Sequence, residues 1–514
     1  MLEPGFYPHG PDSVELRDTH ISWVFLADEL AYKVKKPVVF PFLDYGTLRR
    51  RHQMCREEVR LNRRLAPQIY LRVVGIIRAV GHYSLAPEDD NAVEYAVEMR
   101  RVNEERSLAA LAVRQKLGPV HVEAVARRLA RFHAEVAPAP AQARDVGRLV
   151  AALKENLTTL REAGSALLPQ PRLDAAERFT WRFLSARRAE LEARARDGLV
   201  RECHGDLRAE HVIVPVGGEV YVYDCVEFNP GFRHIDVGAD ISFLVMDLSR
   251  LGAEALSVQL IDDYRKAGGN PGDRSLLSFF ASYRAWVRAK IACLRALDLD
   301  DEGLERRRER AEADEFLGLG HRFAWRARQP LVLLVCGIAS TGKTTLAREL
   351  ALISGWPHIS SDLIRKRIAG LAPTERASSE HYSREFTLRT YSELGRAAHD
   401  ALRRGRGVIV DATFHRRSER GAFRRGLGDR QAPLLFVECR APREVLLDRI
   451  RRRELEPGGI SDADAEVMLR QLAEFEPLEE VPAVARTELV TEARPIELVA
   501  EVEDFVDRSL WGDA

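Results

Sequence analysis

The sequence predicts two domains: an N-terminal α+β domain of strands followed by helices, and a C-terminal α/β domain built on a parallel sheet. Three observations carry this. The chain has 514 residues, more than one core holds at ~100–200 residues per domain. Short strand-like runs surround one charged helix near the start, and helical periodicity then takes over. After Gln329-Pro330 a continuous apolar run, Leu331-Val-Leu-Leu-Val-Cys, opens into a glycine-rich turn, as a strand buried on both faces of a parallel sheet does. The boundary falls at about residue 328 and separates residues 1–328 from 329–514.

Each element has its own signal. Trp23-Val-Phe-Leu-Ala and Ala31-Tyr-Lys-Val-Lys read as strands, with Asp28-Glu29 as the turn between them. Residues 48–65 are charged and helical, with Val59, Leu61 and Leu65 apolar. Strands near 73–79 and 92–99 complete a strand-rich part of about residues 15–103. Residues 105–195 are mostly helical: Val122, Val125, Leu129, Phe132 and Val136 recur at helical spacing, and His133 reads as a packed core histidine. Residues 200–245 return to strands and turns and 253–323 to helices, so about 104–325 is mostly helical. Glu305-Arg-Arg-Arg-Glu-Arg is a solvated helix face leading into a linker.

Composition excludes several classes. Lys and Arg number 78 and so do Asp and Glu, a net charge of zero, whereas proteins that bind nucleic acid or membrane surfaces broadly need a basic excess. The total hides a local polarity: residues 401–453 carry 15 Arg against six acids, and residues 454–514 four Arg against 17 acids. A 46% apolar content excludes a mostly disordered chain. No run reaches the ~18 uncharged apolar residues of a membrane span, and the N-terminus lacks the form of a signal peptide. Cys55, Cys203, Cys225, Cys293, Cys336 and Cys439 are scattered without paired spacing, so neither a disulfide framework nor a zinc site is indicated. The expectation is a soluble cytoplasmic protein with reduced thiols and no membrane partner. No heptad or apolar stripe marks an oligomer interface.

In the C-terminal half, Gly337, Ile338, Ala339, Ser340, Thr341, Gly342, Lys343 and Thr344 match G-x-x-x-x-G-K-S/T at every fixed position, between a strand and a helix that begins at Thr345. Glycines let backbone N–H groups wrap a phosphate, and the helix N-terminus adds the positive end of its dipole. Lys343 then reaches the β- and γ-phosphates of ATP, and Thr344 offers its hydroxyl to Mg2+. Val408-Ile-Val-Asp411 is a second buried strand ending in a carboxylate, suited to the metal side of such a site or to capping a helix. Asp362 ends another short strand. It is either an acceptor base or an ordinary N-cap, and Arg365 can grip an anionic substrate. Arg449, Arg451, Arg452 and Arg453 lie on one helix, either as a lid over a triphosphate or as a solvated face.

This half resembles the small P-loop kinases: the gluconate and shikimate kinase type, the polynucleotide kinase domain and the zeta-toxin kinases. The resemblance covers about residues 331–510. It rests on the phosphate loop, Ser-Asp362-x-x-Arg365, Asp411-Ala-Thr-Phe and the arginine-rich helix. It implies that Asp362 works on the acceptor hydroxyl. The motifs specify ATP and phosphoryl transfer; they do not name the acceptor.

In the N-terminal half, His204-Gly-Asp206-Leu-Arg-Ala-Glu-His211 precedes Val212-Ile-Val-Pro-Val, and Gly217-Gly218 leads to Glu219-Val-Tyr-Val-Tyr-Asp224. Gly-Gly between apolar runs signals a hairpin. Folding it brings Asp206, His211 and Asp224 to one end, where one carboxylate can orient an acceptor hydroxyl and the other hold a metal on a triphosphate. Here the chain resembles the aminoglycoside phosphotransferase and choline kinase branch of the protein-kinase-like fold, over roughly residues 15–325. Ile235-Asp236-Val-Gly-Ala-Asp240-Ile also carries the likeness. It implies a bilobal domain with Asp206 as catalytic base, Asp224 on magnesium and the later Asp pair bracing the catalytic loop. Lys33 and Lys35 lie two apart on one strand and share a face. Either can serve as the lysine on the α- and β-phosphates, Lys33 being preferred, with Glu58 as its partner. The branch carries Asn five residues after the base. This chain has His211, an imidazole at a metal position where magnesium prefers oxygen. Nor does a G-x-G-x-x-G loop precede the lysine strand, where Thr19-His-Ile-Ser stands.

In order and motifs the whole chain resembles one family, an aminoglycoside-phosphotransferase-like domain fused to a P-loop ATP-binding domain. The reading is an ATP- and Mg2+-dependent phosphotransferase with two kinase-like sites acting on a hydroxyl of a small molecule. Two alternatives stand beside it. One is a P-loop ATPase regulated by an N-terminal pseudokinase that binds a ligand. The other is a polynucleotide 5′-hydroxyl kinase, which predicts nucleic-acid binding that weakens with salt.

Overall fold

A computed structural model of the chain describes residues 1–40, 43–79, 82–299, 303–429, 432–454 and 465–512. Packing divides the chain into two compact units, residues 1–152 with 189–273, and residues 153–188 with 274–514.

The first unit opens with a six-stranded antiparallel sheet. Its order is Val14–Asp18, Ser22–Ala27, Leu30–Lys35, Glu94–Arg100, Tyr70–Ala79, His82–Pro87. The two outermost strands, Val14–Asp18 and His82–Pro87, are absent from the sequence reading. Both carry mostly exposed or half-buried side chains, so no apolar alternation marks them. Ala31 packs with Val59, Val73 and Val97 on one face of the sheet, under the helix Leu48–Asn62. Tyr32, Val34 and Ala96 pack on the other. Lys33 and Lys35 share the parity of Ala31 and therefore point to the side of that helix. Thr47 caps its start by accepting from Arg50 N–H. Helices follow, among them Pro119–Glu135 and the almost wholly buried Val237–Arg250. The expected hairpin forms between Val212–Ile213 and Tyr221–Val222.

The second unit holds a five-stranded, all-parallel sheet in the order His358–Ser360, Val408–Asp411, Val332–Cys336, Leu434–Arg440, Arg486–Val490. The central strand is buried throughout. Val332, Leu334 and Cys336 join one core, Leu331, Leu333 and Val335 the other, which accounts for its unbroken apolar run.

Compactness does not divide the chain at residue 328. The helices Arg274–Asp298 and Leu304–Ala327 belong to the second unit. Trp325 lies in the core formed by Leu331, Leu333 and Val335. Next to it, buried Arg328 is bidentate on Asp507 of the helix Pro495–Trp511, at 2.6 and 2.8 Å. Helical periodicity shows that a segment is amphipathic, not which core receives it. Among the described residues no helix is long and apolar enough to cross a membrane.

Candidate functional site

Two clusters of chemically able side chains form, one in each unit. In the first unit the hairpin does what its Gly-Gly turn predicts. Asp206 lies before its first strand, and Asp224 follows its second in the left-handed region, φ 64°. That conformation is tolerated by Asp more readily than by most residues. Lys33 Nζ sits 2.7 Å from Asp224 Oδ1 and 2.9 Å from Glu58 Oε1. Burial acts to lower the Lys33 pKa, but Asp224 and Glu58 reverse this and hold it well above the usual lysine range. Burial likewise acts to raise Asp224, and Lys33 and His211 bring it below the usual carboxylate range.

The structure separates the two candidate lysines. Lys33 keeps a partly open ammonium on Asp224. Lys35 is fully enclosed, 2.8 Å from Glu58 Oε2 and 3.2 Å from the Tyr45 hydroxyl, with Glu227 also on its ammonium. Glu58 thus joins both lysines, and Lys35 is a buried strut beneath the site instead of a group lining it.

Asp206 has two neighbours from its own loop. Arg208 Nε donates to Asp206 Oδ2 at 3.1 Å, and His211 Nδ1 lies 3.6 Å from the same oxygen. Burial acts to raise the Asp206 pKa, yet Arg208 and His211 carry it below its ordinary value. His211 stands between the two carboxylates: its Nδ1–H donates to the Asp206 carbonyl at 3.0 Å, and its Nε2 lies 3.7 Å from Asp224 Oδ2.

The loop beneath is braced from the helix Val237–Arg250. Asp240 accepts from His204 N–H at 3.1 Å and Gly205 N–H at 2.8 Å, and its Oδ2 lies 3.0 Å from His133 Nε2. Gly205 has φ 86°, and a Cβ there would stand 2.7 Å from the Phe232 carbonyl oxygen, so only glycine fits this turn. Asp236 caps the same helix through Gly238 N–H and is bidentate with Arg194, at 2.7 Å twice. His133 is buried, as expected of a core histidine, and it bridges Asp240 to the Tyr264 hydroxyl at 2.8 Å.

In the second unit the strand Val332–Cys336 runs into the phosphate loop, and the helix Lys343–Ser354 starts at its end. Gly337, Ser340 and Gly342 all have positive φ. A Cβ on Gly337 would lie 2.5 Å from the Cys439 carbonyl oxygen. Ile338 and Ala339 are buried, Thr341 closes the turn onto the Ile338 carbonyl at 2.9 Å, and Lys343 Nζ donates to that carbonyl at 3.3 Å. Thr344 is half-buried and Thr345 exposed.

Asp411 pairs in register with Val335 on one side and Ser360 on the other, which places it at the carboxyl end of the sheet beside the loop. It is buried, its Oδ1 has no hydrogen-bond partner among the described residues, and its Oδ2 lies 3.5 Å from His358 Nε2. An uncompensated buried carboxylate oxygen next to a hydroxyl-bearing phosphate loop is the donor set a hard divalent cation takes. Thr344 and Asp411 therefore fit magnesium.

Asp362 follows the strand His358–Ser360 on the first turn of the helix Ser361–Ala369, and Arg365 Nη1 lies 3.2 Å from its Oδ1. The Arg365 guanidinium stacks 4.6 Å from the Tyr382 ring centroid. Arg449 differs from the lid expectation. Its guanidinium is committed to the Ser340 carbonyl at 3.3 Å and the Thr491 hydroxyl at 3.0 Å, so it braces the loop from behind. Arg452 pairs with Asp448 on an exposed face. The side chain of Arg453 lies outside the described residues.

Sequence reasoning missed several partners. Arg208 lies inside the quoted motif, two residues after Asp206, and a cation so close to a base is a signal in itself. Tyr45, Glu227, His358, Gln471 and Thr491 have no local signal. Gln471 reaches the phosphate loop from 132 residues away, accepting from Ala339 N–H at 2.8 Å.

Two family models match the chain, one in each half. Residues 47–280 match the model of the phosphotransferase enzyme family, and residues 332–478 match that of an AAA domain, on either side of residue 328. An uncharacterized protein of Mycobacterium tuberculosis and one of Mycobacterium bovis are each 32% identical over 460 residues, covering 88% of this chain and 88% of theirs. Among solved structures, a sugar kinase from Janibacter sp. is 22% identical over 34% of this chain and 94% of its own, with a TM-score of 0.28. A choline/ethanolamine kinase family protein from Mesorhizobium loti is 12% identical over 60% of this chain and 92% of its own, with a TM-score of 0.33. The N-terminal domain is kinase-like of the aminoglycoside phosphotransferase type, and the C-terminal domain is P-loop kinase-like with a parallel sheet.

Proposed function

The chain belongs to the family that joins an aminoglycoside-phosphotransferase-like domain to a P-loop kinase-like domain, and from that premise we propose that it transfers the γ-phosphate of ATP to hydroxyls of small molecules at two sites. The observation that carries this is Asp411 Oδ1, buried without a partner in line with a complete phosphate loop. Leaving such an oxygen unsatisfied costs about 1–3 kcal/mol or more, which a bound cation removes.

At the C-terminal site Lys343 leaves the Ile338 carbonyl to take phosphate charge, and backbone N–H groups of the loop cradle the chain of phosphates. Thr344 and Asp411 would hold magnesium, which when bound would neutralise charge on the transferred group. Asp362 orients the acceptor hydroxyl, and Arg365, set 3.2 Å away and stacked on Tyr382, holds an anionic part of the acceptor. At the N-terminal site Asp206 takes the acceptor proton, Asp224 holds the metal side, and Lys33 takes phosphate charge. Six free, buried thiols support a reducing, cytoplasmic setting.

A second reading has one observation in its favour. Arg208 pairs with Asp206 and His211 replaces an oxygen ligand, which suits a pseudokinase that binds a ligand and regulates the P-loop domain.

Transfer of labelled γ-phosphate into a small-molecule extract separates the two. Wild type, Asp206→Asn, Lys343→Ala and the double variant are compared, with products resolved by mass. Each single variant is expected to lose a different product, by about 10²-fold or more. If Lys343→Ala removes every product and Asp206→Asn none, the N-terminal domain is a regulatory module.

A further inference from the structure

We infer that the N-terminal site is built for a first-row transition cation such as Mn2+ in preference to Mg2+, with His211 Nε2 and Asp224 Oδ2 as its protein ligands and Arg208 as the internal cation that it displaces. The inference rests on the reading of the Asp206–Asp224 hairpin as a nucleotide site.

The tautomer of His211 is set by its neighbour. A carbonyl only accepts, so the 3.0 Å contact with the Asp206 carbonyl places the proton on Nδ1. An imidazole binds a metal only in its neutral form, and with the proton on Nδ1 the lone pair is on Nε2, which faces Asp224 Oδ2 at 3.7 Å. Two acceptors make no hydrogen bond with each other. Two bonds of about 2.1 Å can span the same gap to one ion. Asp224 Oδ1 is already held by Lys33 at 2.7 Å. Glu210 Oε1, 3.6 Å from Nε2, is held by Arg208 Nη1 at 2.5 Å, which leaves one nitrogen and one oxygen.

Magnesium takes oxygens in a near-octahedral shell and gives up water reluctantly. Imidazole nitrogen is a better ligand for the first-row transition divalents than for magnesium, manganese being the weakest binder of that series. The donor set thus shifts selectivity away from magnesium without disabling the site. Without an ion, a guanidinium fills the same role: Arg208 Nη2 lies 3.2 Å from His211 Nε2 and its Nε 3.1 Å from Asp206 Oδ2. Arg208 Nη1 also holds half-exposed Glu210 at 2.5 Å, a partner it can keep as it swings outward. The other cluster of ligating side chains in this unit, His133, Cys203 and Asp240, is closed on itself. Both Asp240 oxygens already accept backbone N–H groups of the catalytic loop.

The test measures the ion directly. The full-length chain carrying Lys343→Ala, which cripples the other nucleotide site, is loaded with Mn2+ and a non-hydrolysable ATP analogue. Bound Mn2+ is followed by electron paramagnetic resonance while Mg2+ competes, and the spin echo reports nitrogen coordination. Adding His211→Asn is expected to remove the nitrogen signal and to lower the Mg2+ needed for displacement by about tenfold or more, the scale on which supporting groups tune a metal site. Adding Arg208→Ala is expected to tighten Mn2+ severalfold. An unchanged nitrogen signal and competition ratio in His211→Asn overturns the inference while leaving the nucleotide site standing. If the Lys343→Ala chain binds no nucleotide-dependent Mn2+, the reading of the hairpin as a nucleotide site fails as well.

Discussion

At the hairpin of the first unit, Asp206, Asp224, Glu58 and Glu227 are each met by a cation of the chain itself. Beside the phosphate loop of the second unit Asp362 is likewise met by Arg365, but other polar atoms are left over. Ser340 Oγ, His358 Nε2, Arg365 Nε and Asp411 Oδ1 are buried with no hydrogen-bond partner among the described residues. The contrast concerns how each site meets a ligand. A self-paired site is stable when empty and must exchange an internal partner for an external one. A site with orphaned polar atoms is costly when empty, and a ligand recovers that cost. The phosphate-loop site should therefore answer nucleotide with a large gain in stability and the hairpin site with a small one.

The strongest way to break this contrast is to remove one of the internal partners. Lys35→Met leaves Glu58 and Glu227 with a buried charge deficit. Breaking a buried pair from one side costs about 3–5 kcal/mol. Urea unfolding should show the first unit losing about that much, with nucleotide stabilisation of the second unit unchanged. A loss under about 1 kcal/mol would mean that the buried lysine is not needed to hold the carboxylates, and the contrast would fail on its stable side.

Acid should sharpen the contrast next. His204 is fully buried, donates to the Tyr223 carbonyl at 3.0 Å and accepts from Asp206 N–H at 3.3 Å, so it is neutral in the native state. Burial brings its pKa from 6.5 down to about 4, with Asp240 opposing. Between those values the unfolded chain binds a proton that the native chain does not, and stability therefore rises with pH across the window. It is lost as pH falls from about 6.5 towards 4, by at most about 3 kcal/mol at roughly 1.4 kcal/mol per unit. Asp240, lowered to about 2 chiefly by its bond with His133 against burial, loses its contribution only below pH 3.8. Unfolding midpoints at pH 7 and pH 5 should differ in wild type and converge in His204→Gln. An equal pH slope in the variant would assign the effect to another group.

What the sequence made legible follows from chain distance. The phosphate loop is a contiguous strand, turn and helix, and the hairpin is fixed by Gly217-Gly218 between two apolar runs, so both could be read locally. The choice between Lys33 and Lys35 could not. Period-two alternation puts both on one face, and the decision comes from Asp224, 191 residues away from Lys33, and from Glu227 and Tyr45, which close over Lys35. The arginine-rich context of Arg449 reads as a lid or as a solvated face, and Thr491, on a different strand end, binds its guanidinium beside the loop. The helices before residue 328 read as helices from their periodicity, but the core they join is set by partners such as Asp507, which lies far along the chain from Arg328.

The smallest expected effect tests the open side of the contrast. Gln471 accepts from a backbone N–H of the phosphate loop, 2.8 Å from Ala339 N, while Lys343 rests on Ile338. If Gln471 braces the loop, Gln471→Ala loses one buried hydrogen bond, about 1 kcal/mol, and nucleotide affinity falls about fivefold with turnover unchanged. If it instead plugs the cradle, the same substitution frees a donor for phosphate, and affinity rises. Nucleotide titration by calorimetry gives the sign. A rise would show that the phosphate-loop site also carries an internal stand-in, and that the two sites differ in how tightly the stand-in is held instead of in whether one exists.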